Sequence, residues 1–202
     1  MHIALTFDDG PNTEITPQVL DILEENGVRA SFFLIADAIT PESAKMARRA
    51  WEMGCEINNH SKTHDFMDKM APETIREEIK YCTDRIVEIT GRAPKFFRPP
   101  YIAVNQAVYD NVDLTFICGV GCEDWVPEVT AQQRIDRLLS TVKDGDLILL
   151  HDMPGNVNTV EALRTVIPAW KERGFEFVTC GELFDLKGVT PKPGKIYSNV
   201  WD

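Results

Sequence analysis

Two of the chain's four histidines, His60 and His64, stand four positions apart in the stretch NNHSKTHDF. On a helix, this spacing would place both imidazoles on one face, as zinc-binding helices require. Asp8 and Asp9 follow an apolar run in TFDDG, and two adjacent carboxylates are both readily ionised only near a cation. Two histidines and one carboxylate leave coordination positions open on a divalent ion, which is typical of a catalytic site. The pattern indicates a metal site; the alternatives are a solvated histidine pair and an Asp-Gly-Pro turn.

Three further polar positions come after apolar runs. Arg98 in FFRPPY is enclosed by prolines, and such an arginine is expected to pair with a carboxylate, for which the aspartates of TFDDG are the candidates. His151 ends the run DLILLHD, a position typical of a histidine that transfers protons or binds a ligand. Asp124 and Trp125 in GCEDW say little alone, because tryptophan generally packs in a core. All of these residues follow a predicted strand.

Seven short apolar runs predict strands, at residues 2–7, 30–36, 55–59, 95–99, 114–120, 146–150 and 175–180. Five helical patterns lie between them, at residues 16–27, 41–54, 71–91, 130–145 and 159–174. The strands are apolar without clean alternation, so we expect both of their faces to be covered. Repeated strand–helix alternation of this kind predicts an α/β fold with a parallel sheet.

The polar residues favour a (β/α) barrel of about seven strands over an open doubly wound sheet. A barrel gathers five strand ends around one centre, whereas an open sheet would spread them over about 20 Å at a strand spacing of ~4.8 Å. The tail from about residue 187, with Pro191, Pro193 and Gly194, predicts an irregular arm over the surface.

Composition excludes several classes of partner. The formal net charge of −11 argues against nucleic acid and anionic membranes, because phosphate binding needs clustered lysine and arginine, and it favours a neutral substrate. The five cysteines form no paired CxxC knuckles, so buried thiols of a reduced protein are expected rather than a zinc ribbon. No apolar run approaches the ~20 residues of a membrane span, and the N-terminus does not resemble a signal peptide. We therefore expect a cytoplasmic protein or a domain of a longer secreted chain.

The sequence resembles the polysaccharide deacetylase family, the NodB-homology or chitin-deacetylase group of carbohydrate esterases. The resemblance runs from about Ile3 to Phe184 and rests on five motifs in order: TFDDG, NHSKTH, RPPY, EDW and LLH. It implies that residues 1–202 form a single catalytic domain with a distorted (β/α) barrel of fewer than eight repeats. It also implies one divalent metal ion per chain, zinc in the first place, with cobalt, nickel and manganese as alternatives.

The resemblance assigns roles to five residues of the first three motifs. Asp9, His60 and His64 would bind the metal. Asp8 would be the general base that deprotonates the attacking water, and Arg98 would hold and orient it. Because some members of the family lack the second histidine, the presence of His64 implies the complete set of ligands.

The remaining motifs would complete the site. His151 would be the general acid, oriented by Asp124. Tyr101 would offer its backbone N–H to the oxyanion, while Trp125 and Leu149 would form the walls of the acetyl pocket. With these parts in place, the resemblance implies removal of acetyl groups from a carbohydrate by metal-activated water.

The acetyl group that is removed stays open between two chemistries. The region from Lys95 to Trp125 is most similar to the acetyl xylan esterase branch, which implies O-acetyl esters of a xylan-type polysaccharide and a role in xylan degradation. The alternative is N-deacetylation of N-acetylglucosamine in chitooligosaccharides or peptidoglycan. A catalytically idle carbohydrate-binding domain is a third interpretation, and the candidate base and acid argue against it. The oligomeric state is not determined by the sequence.

Overall fold

The computed structural model describes residues 1–192 and 194–202, so that Pro193, which contributed to the predicted arm, lies outside the described residues. The strands are β1 His2–Asp8, β2 Ser31–Leu34, β3 Glu56–Asn59, β4 Phe96–Phe97, β5 Thr115–Ile117, β6 Val120–Gly121, β7 Leu147–His151, β8 Glu176–Phe177 and β9 Ile196–Tyr197. The helices are α1 Thr16–Asn26, α2 Ser43–Glu52, α3 Pro72–Thr90, α4 Gln106–Asn111, α5 Ala131–Thr141, α6 Val157–Glu172 and α7 Cys180–Lys187. The five predicted helices correspond to α1, α2, α3, α5 and α6.

The strands form one parallel sheet in the order β6-β7-β1-β2-β3-β4-β5-β9, and β8 also pairs with the start of β1. The sheet curls towards closure, because the chain that follows β9 reaches β7. The backbone N–H of Leu147 donates to the carbonyl of Ser198 at 3.0 Å, and Asp146 forms an antiparallel bridge with Asn199. The prediction of an α/β distorted barrel of parallel strands in a single domain is confirmed.

Alternating side chains along the strands face opposite sides of the sheet. In β1, Ile3, Leu5 and Phe7 belong to the largest apolar cluster, which they share with the buried faces of the surrounding helices. Ala4 lies in a second cluster with Leu147 of β7, on the inner side of the barrel. Because side chains alternate with a period of two, Asp8 of β1 lies on the same inner side as Ala4. By the same count from Leu147, His151 of β7 also lies on the inner side.

Two regions differ from the sequence-based prediction. The run 114–120 is split into β5 and β6, because Gly119 has a φ of 120° and a Cβ there would lie 2.9 Å from the Cβ of Leu149. The segment predicted to be an irregular arm contains β9, which pairs with β5. Tyr197 of β9 is buried and contacts Phe184 at a ring-centroid distance of 5.2 Å. This apolar contact holds the C-terminal segment in the barrel wall.

Within residues 1–192 and 194–202, none of the helices combines the length and the apolar character that crossing a bilayer requires. The ends of several helices follow the expected chemistry. For example, α1 begins with Thr16 and Pro17 and ends at Gly27, whose φ of 62° is left-handed.

Candidate active site

The candidate residues of every motif meet at the carboxyl ends of the strands. Asp8 pairs in register with His151 across β1 and β7, and Asn59 pairs with Phe97, which places the following residues, His60 and Arg98, side by side. A cavity of about 340 Å³ opens at this rim. Its lining residues are Asp8, Asp9, His60, His64, Pro99, Tyr101, Ile102, Trp125, Leu149 and His151. A larger cavity of about 500 Å³, beside α4, contains none of the motif residues.

Asp9, His60 and His64 form a cluster that could hold a metal ion, with one ligand atom from each residue and all three atoms within 4.8 Å of one another. Oδ1 of Asp9 lies 3.4 Å from Nε2 of His60 and 3.4 Å from Nε2 of His64. This oxygen is buried and has no hydrogen-bond partner among the described residues. A buried carboxylate oxygen between two imidazole nitrogens fits a divalent cation, since the set combines the oxygen and nitrogen donors of zinc sites.

The hydrogen bond of His60 and the lowered pKa of His64 both suit metal binding. Nδ1 of His60 lies 2.6 Å from the carbonyl oxygen of Arg98, which can only accept, so the proton is on Nδ1 and the Nε2 lone pair is free. Burial, reinforced by the nearby His60, lowers the pKa of His64 below its usual 6.5, although the charge of Asp9 opposes this. The ring of His64 therefore favours the neutral form that binds metals.

The prediction that His60 and His64 share a helix face is wrong. The two residues lie in an irregular loop after β3, in which Ser61 and His64 have left-handed φ angles of 67° and 66°. The imidazoles nevertheless meet, with ring centroids 4.8 Å apart. The loop is stable because side chains, rather than helical carbonyls, accept its N–H groups: Asn59 from Ser61, and Ser61 from His64.

Asp8 and Arg98 form a buried ion pair beside this cluster. Nη1 of Arg98 donates to Oδ1 of Asp8 at 2.5 Å, and both residues are almost fully buried. The guanidinium also lies over the ring of Phe33, 4.3 Å from its centroid. The second oxygen of Asp8, Oδ2, faces Nε2 of His60 at 3.6 Å. One carboxylate oxygen is thus fixed by the arginine while the other faces the candidate metal cluster.

His151 and Asp124 form a second ion pair at the cavity. Nδ1 of His151 donates to Oδ1 of Asp124 at 2.8 Å, and the backbone N–H of His151 donates to Oδ2 at 2.8 Å. Burial lowers the pKa of His151, but the hydrogen bond and charge of Asp124, with the charges of Asp8 and Asp9, outweigh it and raise the pKa to about 9. His151 is therefore protonated at neutral pH and can donate a proton from Nε2.

Tyr101, Trp125 and Leu149, the candidate substrate-binding residues, line the cavity. The backbone of Tyr101 is left-handed, with a φ of 57°, and its ring stacks on Phe66 with centroids 4.0 Å apart. Trp125 meets His151 edge to face at 5.6 Å and is 47% exposed, so that it forms an outer wall rather than core. Leu149, which is buried on β7, forms the floor.

Known proteins share this arrangement of elements and sequence. The sequence model of the family described as polysaccharide deacetylase matches residues 1–116, more than half of the chain. A bifunctional xylanase/deacetylase from Pseudobutyrivibrio xylanivorans is 49% identical over 199 residues. The chain belongs to the polysaccharide deacetylase family.

Two solved structures of this family superimpose closely on this chain. The Xyl-CE4 domain of a multidomain xylanase from the hindgut metagenome of Trinervitermes trinervoides has a TM-score of 0.96 and 46% identity, covering 98% of this chain and 97% of that one. A family 4 acetyl xylan esterase from Clostridium thermocellum, in complex with a cobalt ion, has a TM-score of 0.95 and 42% identity, covering 99% of both chains.

The relation to the xylanase/deacetylase concerns one part of a larger protein. The alignment covers 98% of this chain but only 33% of the relative, so the chain spans about a third of that protein's length.

The sequence did not indicate the residues that hold the motif residues in place through hydrogen bonds. Asp124 also accepts hydrogen bonds from Thr159 and Asn156, and both of these are bonded to the buried Arg134. Glu78 supports the histidine loop from α3. A sequence signal for Glu78 exists, since it occupies the buried stripe of α3 that otherwise holds Ile75, Cys82, Ile86 and Ile89. A charged residue on such a stripe has to find a polar partner.

Proposed function

We propose that this chain is a metal-dependent carbohydrate deacetylase that hydrolyses O-acetyl esters of a xylan-type polysaccharide. The observation that carries the proposal is the convergence of three groups on one cavity. They are a ligand cluster with an unpartnered buried oxygen, a carboxylate held by arginine, and a histidine held protonated by aspartate. These groups are what hydrolysis of an acyl bond requires: an electrophile, a base and an acid.

The metal would be held by Asp9, His60 and His64, whose donor set fits a divalent ion. When bound, such an ion supplies Lewis acidity: it polarises a carbonyl group and lowers the pKa of water from 15.7 towards about 7. We propose zinc; cobalt, nickel and manganese would suit the same donors, and the related acetyl xylan esterase was solved with cobalt.

Asp8 would act as the general base. Its Oδ1 is held by Arg98 at 2.5 Å, which fixes the orientation of the carboxylate, while Oδ2 is free to accept a proton from the attacking water. As that proton moves to Asp8, the water oxygen bonds to the acetyl carbon and the carbonyl oxygen gains negative charge. The backbone N–H of Tyr101 has no acceptor among the described residues. Because Tyr101 lines the cavity, this N–H could donate to that oxygen.

His151 would act as the general acid. Its Nδ1 proton is bound to Asp124, so its Nε2 proton is the one available to the cavity. When the tetrahedral centre collapses, the bond from carbon to the sugar oxygen breaks and His151 protonates the departing alkoxide, releasing the free hydroxyl and acetic acid, which loses its proton to give acetate. Trp125 and Leu149 would enclose the acetyl methyl group in an apolar pocket.

The choice of O-acetyl xylan rests on similarity to relatives. Those reported above are a xylanase/deacetylase, a domain of a xylanase and an acetyl xylan esterase. The strongly acidic chain, with a net charge of −11, also favours a near-neutral polymer over a heavily anionic one.

The test is acetate release from acetylated xylan and, in parallel, from chitooligosaccharides, using chelated and metal-reconstituted protein. Metal-dependent release from xylan is the expected result. Release from the amino sugar alone would overturn the O-acetyl assignment and make the chain an N-deacetylase. No release from either substrate, with metal bound, would contradict a catalytic function and favour a binding domain.

A further inference from the structure

One buried carboxylate, Glu78 of α3, holds the loop that carries His60 and His64. Its Oε2 accepts the backbone N–H of Lys62 at 2.9 Å, the backbone N–H of Thr63 at 2.9 Å and the hydroxyl of Thr63 at 3.1 Å. Glu78 is only 6% exposed, although the helix presents other glutamates to solvent. Among the described residues, its recorded partners are these loop groups, so the loop is what stabilises this buried charge.

The backbone of the loop is strained at two positions. Ser61 and His64 are both in the left-handed region, at φ 67° and 66°, where side-chain-bearing residues are strained. Between these two positions, the successive N–H groups of Lys62 and Thr63 point to one side, which creates a concave site for an anion. Here the anion is the carboxylate of Glu78, which accepts the N–H groups of Lys62 and Thr63, the two residues between the strained positions.

His64 depends on this support more than His60 does. The ring of His60 is fixed by its hydrogen bond to the carbonyl of Arg98 at 2.6 Å. The ring of His64 has edge contacts with His60 and Tyr101, but no hydrogen bond outside the Asp9 cluster is recorded among the described residues. Metal-binding histidines usually have an outer partner that sets their orientation. For His64, that orientation has to come from the loop backbone.

We propose that Glu78 is a positioning residue that sets the metal affinity of the Asp9, His60 and His64 site by holding the 61–64 loop. The inference rests on the metal site proposed above. It assigns no contact between Glu78 and the metal or the substrate; Glu78 acts through the backbone of Lys62 and Thr63.

The test measures zinc and cobalt affinity of the apo protein by competition with a chromophoric chelator. For Glu78→Ala we expect affinity to fall about 10- to 100-fold, the range typical of removing an outer partner of a ligand. Glu78→Gln should stay within about threefold of wild type, because the amide oxygen still accepts the two N–H groups. The matched control is Glu77→Ala, an exposed glutamate one position earlier on α3, which should not change the affinity.

A second readout separates positioning from general stability. The visible absorption spectrum of cobalt-saturated protein reports ligand geometry, and it should change in Glu78→Ala but not in Glu77→Ala. If Glu78→Ala does not fold by circular dichroism, Glu78→Asp is used instead. It keeps the charge but shortens the reach, and should weaken affinity about fivefold.

The outcomes distinguish this inference from the proposed function. Wild-type affinity and an unchanged cobalt spectrum in folded Glu78→Ala or Glu78→Asp would overturn the positioning role while leaving the metal site intact. A wild-type protein that binds neither zinc nor cobalt would overturn the metal site itself, and the inference with it.

Discussion

Arg98 serves both halves of the candidate metal and base arrangement. Its guanidinium holds Asp8 and its backbone carbonyl accepts from Nδ1 of His60. A single residue thereby orients a carboxylate and an imidazole whose reacting atoms, Oδ2 and Nε2, lie 3.6 Å apart. Substituting Asp8 and His60 one at a time should therefore distinguish the role of the base from that of the metal ligand.

Asp8→Asn is expected to retain metal and lose turnover, whereas His60→Ala should lose both. Asparagine can still accept from Arg98 but cannot take a proton at neutral pH, so kcat should fall by about a thousandfold with metal affinity nearly unchanged. His60→Ala removes one ligand, and we expect metal affinity to fall by at least about 100-fold. Metal content and acetate release, measured on the same preparations, check both. Retention of wild-type affinity by His60→Ala would contradict the ligand assignment.

The surroundings of His151 determine how the stability of the fold, and the activity, should depend on pH. Its pKa in the fold, about 9, is above its ordinary value of 6.5. Protonated His151 therefore contributes stability that is complete below pH 6.5 and is lost as pH rises through 9. If protonated His151 is the acid, kcat/KM should have an alkaline limb along which this proton is lost.

Asp124→Asn should move that alkaline limb to lower pH. The substitution removes the charge that raises the pKa of His151, and burial then lowers it. A profile of kcat/KM against pH on acetylated xylooligosaccharides measures the shift, which we expect to exceed about one pH unit. An unmoved limb would show that the group titrating there is not His151.

At the scale of elements, the strand β9 links parts of the barrel that are far apart in sequence. It pairs with β5, and the residues after it bond to the start of β7. Its anchor is Tyr197, which is 2% exposed and whose hydroxyl accepts the backbone N–H of Lys192. The C-terminal segment is therefore part of the barrel wall that supports the strand ends around the cavity.

Tyr197→Ala should destabilise the fold substantially. Removing a buried aromatic side chain costs about 3 kcal/mol or more, through lost apolar burial and the cavity that remains. Urea unfolding gives the free energy of unfolding. The control is Tyr81→Ala, at a residue 44% exposed on α3, for which the change should be within about 0.5 kcal/mol. Equal effects from the two substitutions would mean that β9 does not brace the barrel.

At the scale of the whole molecule, the metal should link the motif loops. The proposed ligands come from the loop after β1 and the loop after β3, so an ion bound in the fold would connect them. A ligand that binds only the folded state stabilises it, by about 2.7 kcal/mol at 100 times its dissociation constant.

Chelation should therefore lower the melting temperature, and added zinc should restore it. Measurements by calorimetry with and without chelator test this, and His64→Ala should show a much smaller response to zinc than wild type. A melting temperature insensitive to chelation and zinc in the wild-type protein would contradict a metal bound preferentially by the fold.

The sequence by itself determined the alternation of strands and helices and the strand-end positions of Asp8, His60, Arg98 and His151. These follow from local patterns: apolar runs, helix-ending glycines and the rule that parallel strands present their carboxyl ends on one face. It did not predict β9, because two residues carry too little pattern to distinguish a strand from a loop; their burial depends on Phe184, distant in sequence.

Only the tertiary structure decided how His60 and His64 meet. Their spacing indicated a helix, yet the loop takes a left-handed path because Asn59, Ser61 and Glu78 accept its N–H groups. Likewise, two partners of Asp124, Asn156 just before α6 and Thr159 within it, lie more than 30 residues further along the chain. Such contacts join residues that are too far apart in sequence to produce a local periodicity. The sequence could therefore indicate candidate site residues, whereas the residues that support them required the fold.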